Sequence, residues 1–374
     1  MELFLHIGAE KTGTSSLQQF FKRNCEMLEA ESILYSQVAR TQIQGESDSH
    51  TALAAAAQAP GKIDDLRQLH GVNSPESVHE FRGRLSQALV EEARLAGCER
   101  AIFSSEHLSS RLVSIPEVET LAKMLKPVAD RITVVVYVRR QDDFLCSTYS
   151  TDVKSGFTGP IALPGEGLRQ SRYNYYVLLE RWAAVFGKQN IVCRIYEKSG
   201  LKNGDIVDDF ADVIGLHFGE DFKRFAHVND SLDVAALEFL RLFNHVVPRM
   251  NEKGLNPARG NLIPTLQEIL QGPSPTLPET ELAEFMRYFE RSNRKVALEY
   301  FDSICKTGDP LFGEADMGKN RAQMRPLTTE EAVAIAAHLW ERKQERINVL
   351  RARIAHLEKK GGTMRKDAER RSKG

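Results

Sequence analysis

Cysteine is scarce and unpatterned: Cys25, Cys98, Cys146, Cys193 and Cys305 are odd in number, scattered, and never in a C-x-x-C pair. That offers neither a disulfide framework nor a thiolate zinc site, and it suits a reducing cytoplasm. An excess of one charge is also missing, with 50 Lys+Arg against 51 Asp+Glu. A chain that wraps nucleic acid usually shows a basic surplus, so that class is set aside. Long apolar runs are absent. The most apolar stretch, Thr133 to Val138, falls far short of the ~20 residues of a membrane-spanning helix. No basic segment followed by a long apolar run opens the chain, so a secretory leader is not expected and the location is read as cytoplasmic. No H-E-x-x-H, EF-hand loop or acidic ligand cluster is visible, so no metal is expected. With 25 Gly and 14 Pro in 374 residues, collagen-like and low-complexity classes are excluded too.

What is present is an ordinary globular mix, 42% apolar and 27% charged. Four apolar or β-branched runs read as buried strands: Leu3–Ile7, Ala101–Ser104, Ile132–Val138 and Ile191–Tyr196. Helical patterns over 15–28, 78–96 and 173–186 separate them. The run 132–138 is apolar on both parities, as a central parallel strand covered on both faces should be. The fold class expected is α/β, a P-loop-like three-layer fold with a central parallel sheet and a helix-rich C-terminal half. Helices are expected over 206–214, 234–247, 279–300 and from 328 to near 360. Residues 40–76 are polar and Ala-rich without period and read as a long excursion. The stretch 255–278 carries five prolines and reads as a loop with at most one short helix. Both long connections are expected to wall a cleft. The domain expectation is one α/β domain over 1–314, a helical extension over 315–360, and a basic, disordered tail over 361–374.

Two segments carry the chemistry. The first is LFLHIGAEKTGTSSLQQFF, from Leu3. A strand enters a loop bearing Gly8 and Gly13, and a helix starts near Ser15. Such a junction aims backbone N–H groups and the positive end of a helix dipole at one point, where phosphate-like anions bind. Lys11 adds charge; Thr12, Thr14, Ser15 and Ser16 add hydroxyls. The spacing nearly matches the triphosphate loop G-x-x-x-x-G-K-[ST], but Thr14 stands where lysine belongs and Lys11 sits inside the loop. The second is VVVYVRRQDDFLCSTYS, from Val134. Where a triphosphate-hydrolysing protein would place a magnesium-organising acid, the strand ends on Arg139-Arg140. A planar guanidinium suits a phosphate dianion, and Ser147 follows eight positions after Arg139. Arg140 reads as a surface ion-pair residue.

The run Lys11 to Leu17 resembles the K-x-G-T-[ST]-x-L loop of sulfotransferases that use 3′-phosphoadenosine 5′-phosphosulfate (PAPS). Arg139 and Ser147 match that family's 3′-phosphate motif. The resemblance is to bacterial, carbohydrate-type members and spans roughly 1–312. It implies that Lys11, Thr12, Gly13, Thr14, Ser15, Ser16, Arg139 and Ser147 hold PAPS. Two weaker echoes extend it. Tyr196, at a strand end, resembles the element passing near the adenine. Asn229 and Ser231 resemble an N-x-S-L turn, although helix capping explains them equally.

Sulfuryl transfer needs a positioned acceptor, a base for its proton, and charge at the leaving oxygen; Lys11 suits the last task. The strand 101–104 ends Ser104-Ser105-Glu106-His107. The resemblance puts the base just past this strand, as His in some members and Glu in others. Glu106 and His107 are both candidates, with His50 or His70 from the long connection as further ones. The leading function is therefore a PAPS-dependent sulfotransferase acting on a hydroxyl of a carbohydrate or glycolipid. A P-loop kinase or NTPase is the alternative, and a non-catalytic scaffold the third reading. The expected partner is a small-molecule or glycan acceptor, with no nucleic acid, and any homo-oligomer would form through the C-terminal helix.

Overall fold

In the computed structural model, Glu2–His6 (β1), Ile33–Leu34 (β2), Arg100–Ser104 (β3), Arg131–Val138 (β4) and Ile191–Ile195 (β5) form one sheet in the order β2-β3-β1-β4-β5. Every neighbouring pair is parallel. The structure describes residues 1–43, 45–224, 231–251, 254–301, 307–313 and 320–371. The α/β class with a central parallel sheet is as the sequence indicates. The four expected strands are present within a residue at each end. The fifth, Ile33–Leu34, is too short to leave a signal.

The alternation of side chains along a strand separates two cores. Leu3, Leu5, Ala101, Phe103, Val134, Val136 and Val138 face one layer. That layer comprises Thr51–Ala57 (α3), Pro75–Ala96 (α4), Ile115–Leu125 (α6), Tyr175–Phe186 (α8) and part of Glu279–Tyr300 (α12). Phe4, Ile102, Val135 and Tyr137 face the other. There they meet Thr14–Arg23 (α1), Cys25–Ala30 (α2) and Ile206–Val213 (α9). The helix numbering also counts His107–Arg111 (α5) and Gln141–Lys154 (α7). Each large apolar side chain buried this way contributes on the order of 1.5–3 kcal/mol.

Two departures from expectation have local causes. The first helix is broken at Asn24. Its amide donates to Phe20 O at 2.8 Å and to Lys223 O at 3.0 Å, and accepts from Lys223 N at 2.8 Å. The stretch 40–76 is more structured than an excursion. It carries a hairpin, Thr41–Gln42 with Gly45–Glu46, then α3. Every residue of α3 is buried, so it has no polar face and no period to read. The buried Arg67 guanidinium donates to the carbonyls of Ala55, Gln58 and Ala59 at 2.7–2.8 Å, satisfying the end of that helix.

By packing, the chain divides into two units, each drawn from three segments distant in sequence. One is Met1–Thr148, Ala162–Val228 and Glu279–Asp316, and holds the sheet. The other is Tyr149–Ile161, Asn229–Pro278 and Met317–Gly374. Its own small core joins Tyr149, Val153, Leu232, Leu237 and Leu240 to Leu266 and Ile335. Here lie Val234–Val246 (α10), the short helix Ile263–Ile269 (α11) inside the Pro-rich stretch, and Thr329–Arg371 (α13). The backbone of α13 stays helical beyond Lys360, across most of the stretch read as a disordered tail. None of Cys25, Cys98, Cys146 and Cys193 is in a disulfide; Cys305 lies outside the described residues. Among the described residues no helix is long and apolar enough to cross a membrane.

Candidate anion-binding and acid–base site

β1 lies in the middle of the sheet, and the loop 7–13 leaves its carboxyl end between β3 and β4. The loop needs left-handed backbone at Gly8 (φ 102°), Lys11 (φ 62°) and Gly13 (φ 78°). Two of these are glycines for a further reason, close approach. A Cβ on Gly8 would stand 3.0 Å from Glu106 Cα, and one on Gly13 would stand 3.0 Å from the Tyr196 ring. The left-handed Gly13 precedes α1, whose first turn has no side-chain cap. Its leading N–H groups lack intrahelical partners, as those of any helix start do. Thr12 is buried and its hydroxyl donates to Ala9 O at 2.7 Å, so its side chain braces the loop. Thr14 is buried at the helix start, Ser16 is half-buried and Ser15 is exposed.

On the β4 side stands the cationic element. Arg139 Nη1 donates to Lys11 O at 3.1 Å. Its Nε lies 3.6 Å from Asp143 Oδ2, and its guanidinium carbon is 5.9 Å from the Tyr196 ring centroid. Tyr175 OH donates to Arg139 O at 2.7 Å, fixing the backbone there. Ser147 lies one turn beyond Asp143 on the same face of α7, so it continues the line from Arg139. Burial pushes the Tyr196 phenol up, while Arg139 pulls it down. Lys11, Gly13, Arg139 and Tyr196 thus meet at one end of the sheet. Arg140 pairs with Asp142 at 3.0 Å, as an ion-pair residue would, but it is half-buried rather than on the surface, and it also donates to the Gly313 carbonyl.

On the β3 side stands a polar, uncharged cluster with one carboxylate. Glu106 sits against Gly8, and Gln18 Nε2 of α1 donates to Glu106 Oε2 at 2.7 Å. The same amide nitrogen is 3.3 Å from Ser104 Oγ, which in turn lies 2.8 Å from His6 Nδ1. His107 opens α5, and its Nδ1 is buried with no hydrogen-bond partner. His50 is fully buried, its Nδ1 accepting from Ser104 N at 2.8 Å, with Tyr35 edge-on at 4.4 Å. Burial lowers both His6 and His50 to about 3, so both are neutral in the fold. His70 is bonded to Thr51 Oγ1 at 3.0 Å and lies against the Phe81 ring, tilted to it; burial lowers it to about 4.

Some sequence candidates fall elsewhere. Asn229 lies outside the described residues. Ser231 is exposed in the second unit, 3.4 Å from Leu232 O. The cap of α10 is neither of them: Asp233 Oδ1 accepts from Ala236 N at 2.7 Å. Sequence reasoning missed Gln18. Its signal was position: with Thr14, Leu17 and Phe21 it occupies the buried stripe of α1, where an amide must have a partner. Among the described residues no group of three or more His, Cys, Asp or Glu could hold a metal ion.

No family model matches the chain. An uncharacterized protein of Archaeoglobus fulgidus is 29% identical over 174 residues, 45% of this chain and 45% of that protein. The chain thus spans less than half the length of that relative. Among solved structures, the sulfotransferase from Alicyclobacillus acidocaldarius overlays with a TM-score of 0.35 and 13% identity, covering 60% of this chain and 85% of that one. The sulfotransferase domain of the Synechococcus PCC 7002 olefin synthase overlays with a TM-score of 0.35 and 10% identity, covering 77% and 94%.

Proposed function

We propose that the chain is a sulfotransferase that takes PAPS as donor and sulfates a hydroxyl, with a carbohydrate or glycolipid as the acceptor class. The observation that carries this reading is the Arg139 guanidinium on the Lys11 carbonyl. It joins the two phosphate motifs, 128 residues apart in sequence, at one end of the sheet. The close approach that Gly13 permits supports the fit, since it brings the Tyr196 ring against the loop beside the helix start.

When bound, PAPS supplies an activated sulfuryl group. The first-turn amides of α1, with Ser15 and Ser16, would hold its 5′ side, and Arg139 with Ser147 its 3′-phosphate. Arg139 donates to the loop through Nη1 and lies in an ion pair with Asp143, which orients the guanidinium. Lys11 places a cation within the loop, where it offsets charge building on the leaving oxygen. Glu106 is the base: Gln18 engages Oε2, and Oε1 takes the acceptor's hydroxyl proton. Thermal shift tests the reading. Adenosine 3′,5′-bisphosphate should stabilise the chain without added metal. Stabilisation by ATP with magnesium alone would sink the proposal in favour of a kinase or NTPase.

A further inference from the structure

The helix Thr329–Arg371 presents two apolar stripes, and only one is used inside the chain. Ile335 and Leu339 pack on the second unit's core, and Arg342 pairs with Glu268. The other stripe is Val333, Ala336, Trp340, Lys343, Ile347, Leu350, Ile354 and Leu357. These positions repeat with steps of three and four over four heptads. The six large apolar members are 38–65% exposed. From Lys343 to Glu358 nearly every side chain is exposed, so this length of helix lacks intramolecular support. An isolated helix of that length is marginal in water, and a single apolar seam calls for a partner helix.

We propose that this seam pairs with the same seam of a second copy, as a parallel two-stranded coiled coil. The residue types select that occupant. The a positions are Val333, Trp340, Ile347 and Ile354, and the d positions are Ala336, Lys343, Leu350 and Leu357. Ile at a with Leu at d is the pattern that favours two parallel strands. In that register Arg353 at g faces Glu358 at e of the other copy, an attractive pair. Arg346 meets Arg351, and Lys343 interrupts the d layer; both weaken the coil and make it concentration-dependent. Pairing covers roughly 600–1,000 Å² of apolar surface. With the stems of the flanking Arg side chains, the total approaches the ~1,200 Å² of a specific interface.

Sedimentation of the full chain tests this across roughly 1–100 µM. The expected result is a reversible step from 42.1 kDa to twice that mass. The double variant Ile347→Asp/Ile354→Asp should stay monomeric, with the melting temperature that the wild type shows at concentrations where it too is monomeric, because both side chains are exposed. Val349→Asp, off the seam, should dimerise normally. Leu350→Cys should form an intermolecular disulfide on mild oxidation, above a wild-type baseline, since d faces d in a parallel coil. A wild-type monomer throughout the range overturns the proposal, as does a dimer that survives the double substitution. A trimer or tetramer, or a dimer without the Leu350→Cys cross-link, overturns the parallel two-stranded assignment.

Discussion

The two flanks of β1 have opposite characters at their carboxyl ends. On the β3 flank, His6, Ser104, Gln18 and Glu106 form a chain of buried or half-buried hydrogen bonds, neutral except for one carboxylate. On the β4 flank stand Arg139 and Arg140, with Tyr196 beyond. The loop with Lys11 runs between. The carboxylates beside the arginines, Asp142 and Asp143, are paired with them. Glu106 stands instead across β1 from the arginines, held by the Gln18 amide. The difference is what the proposed chemistry asks for: a proton acceptor on one flank and an anion holder on the other.

The largest effect should come from the carboxylate. Glu106→Gln keeps size and one acceptor but removes basicity. Turnover should fall on the order of 10²–10⁴-fold, with affinity for adenosine 3′,5′-bisphosphate nearly unchanged. His107→Gln should cost far less. An inactive His107→Gln that still binds the bisphosphate, beside a nearly wild-type Glu106→Gln, would move the base to the neighbour.

The same flank should make the fold acid-sensitive. His6 and His50 are neutral when folded, lowered to about 3 from an ordinary 6.5. Their folded values lie below the unfolded ones, so their contribution is complete above about pH 6.5 and is lost as pH falls toward 3. At pH 5 each should cost about 2 kcal/mol relative to pH 7. Urea unfolding at both pH values measures this. The loss on acidification should be about 2 kcal/mol smaller in His6→Leu, whatever that variant's stability at pH 7. An equal loss in both proteins would mean that the acid sensitivity arises elsewhere.

How much of this was legible depends on what each element leaves in the sequence. The strands are apolar on both parities because both faces of the sheet are covered, and their runs mark them clearly. The loop is legible because glycine spacing and a lysine are positional signals. The Ala-rich α3 is not, since a helix buried on every side loses its period. Nor is the partition into two units, because Tyr149–Ile161 joins Leu232–Leu240 and Ile335 through contacts distant in sequence. At the site, Arg139 was legible as a cation where an acid was due. Gln18 was not singled out, because its meaning lies in Glu106, 88 positions away.

The cationic flank should answer to ligand rather than to pH. Arg139→Ala should weaken adenosine 3′,5′-bisphosphate about 30–300-fold, the loss of a charge-assisted clamp, by isothermal titration. Adenosine 5′-phosphosulfate, which lacks the 3′-phosphate, should change little. Equal losses for both ligands would show that Arg139 acts mainly by bracing the Lys11 carbonyl, and the two flanks would then be less separate than drawn.

The smallest effect, and the sharpest on the comparison, concerns Gln18. Its amide nitrogen lies within reach of both Glu106 Oε2 and Ser104 Oγ. Gln18→Leu keeps most of the volume on the buried stripe of α1 but leaves both oxygens without that donor. A carboxylate that loses a donor holds its proton more tightly and samples more orientations. Turnover at neutral pH should therefore fall about tenfold, and the acid limb of the pH–rate profile should move to higher pH. The bisphosphate should bind as before, because nothing on the β4 flank has changed. A purely structural role would lower the melting temperature and scale turnover at every pH without moving that limb. A shifted limb with intact cofactor affinity makes Gln18 a positioning residue for the base; an unshifted one reduces it to a core amide.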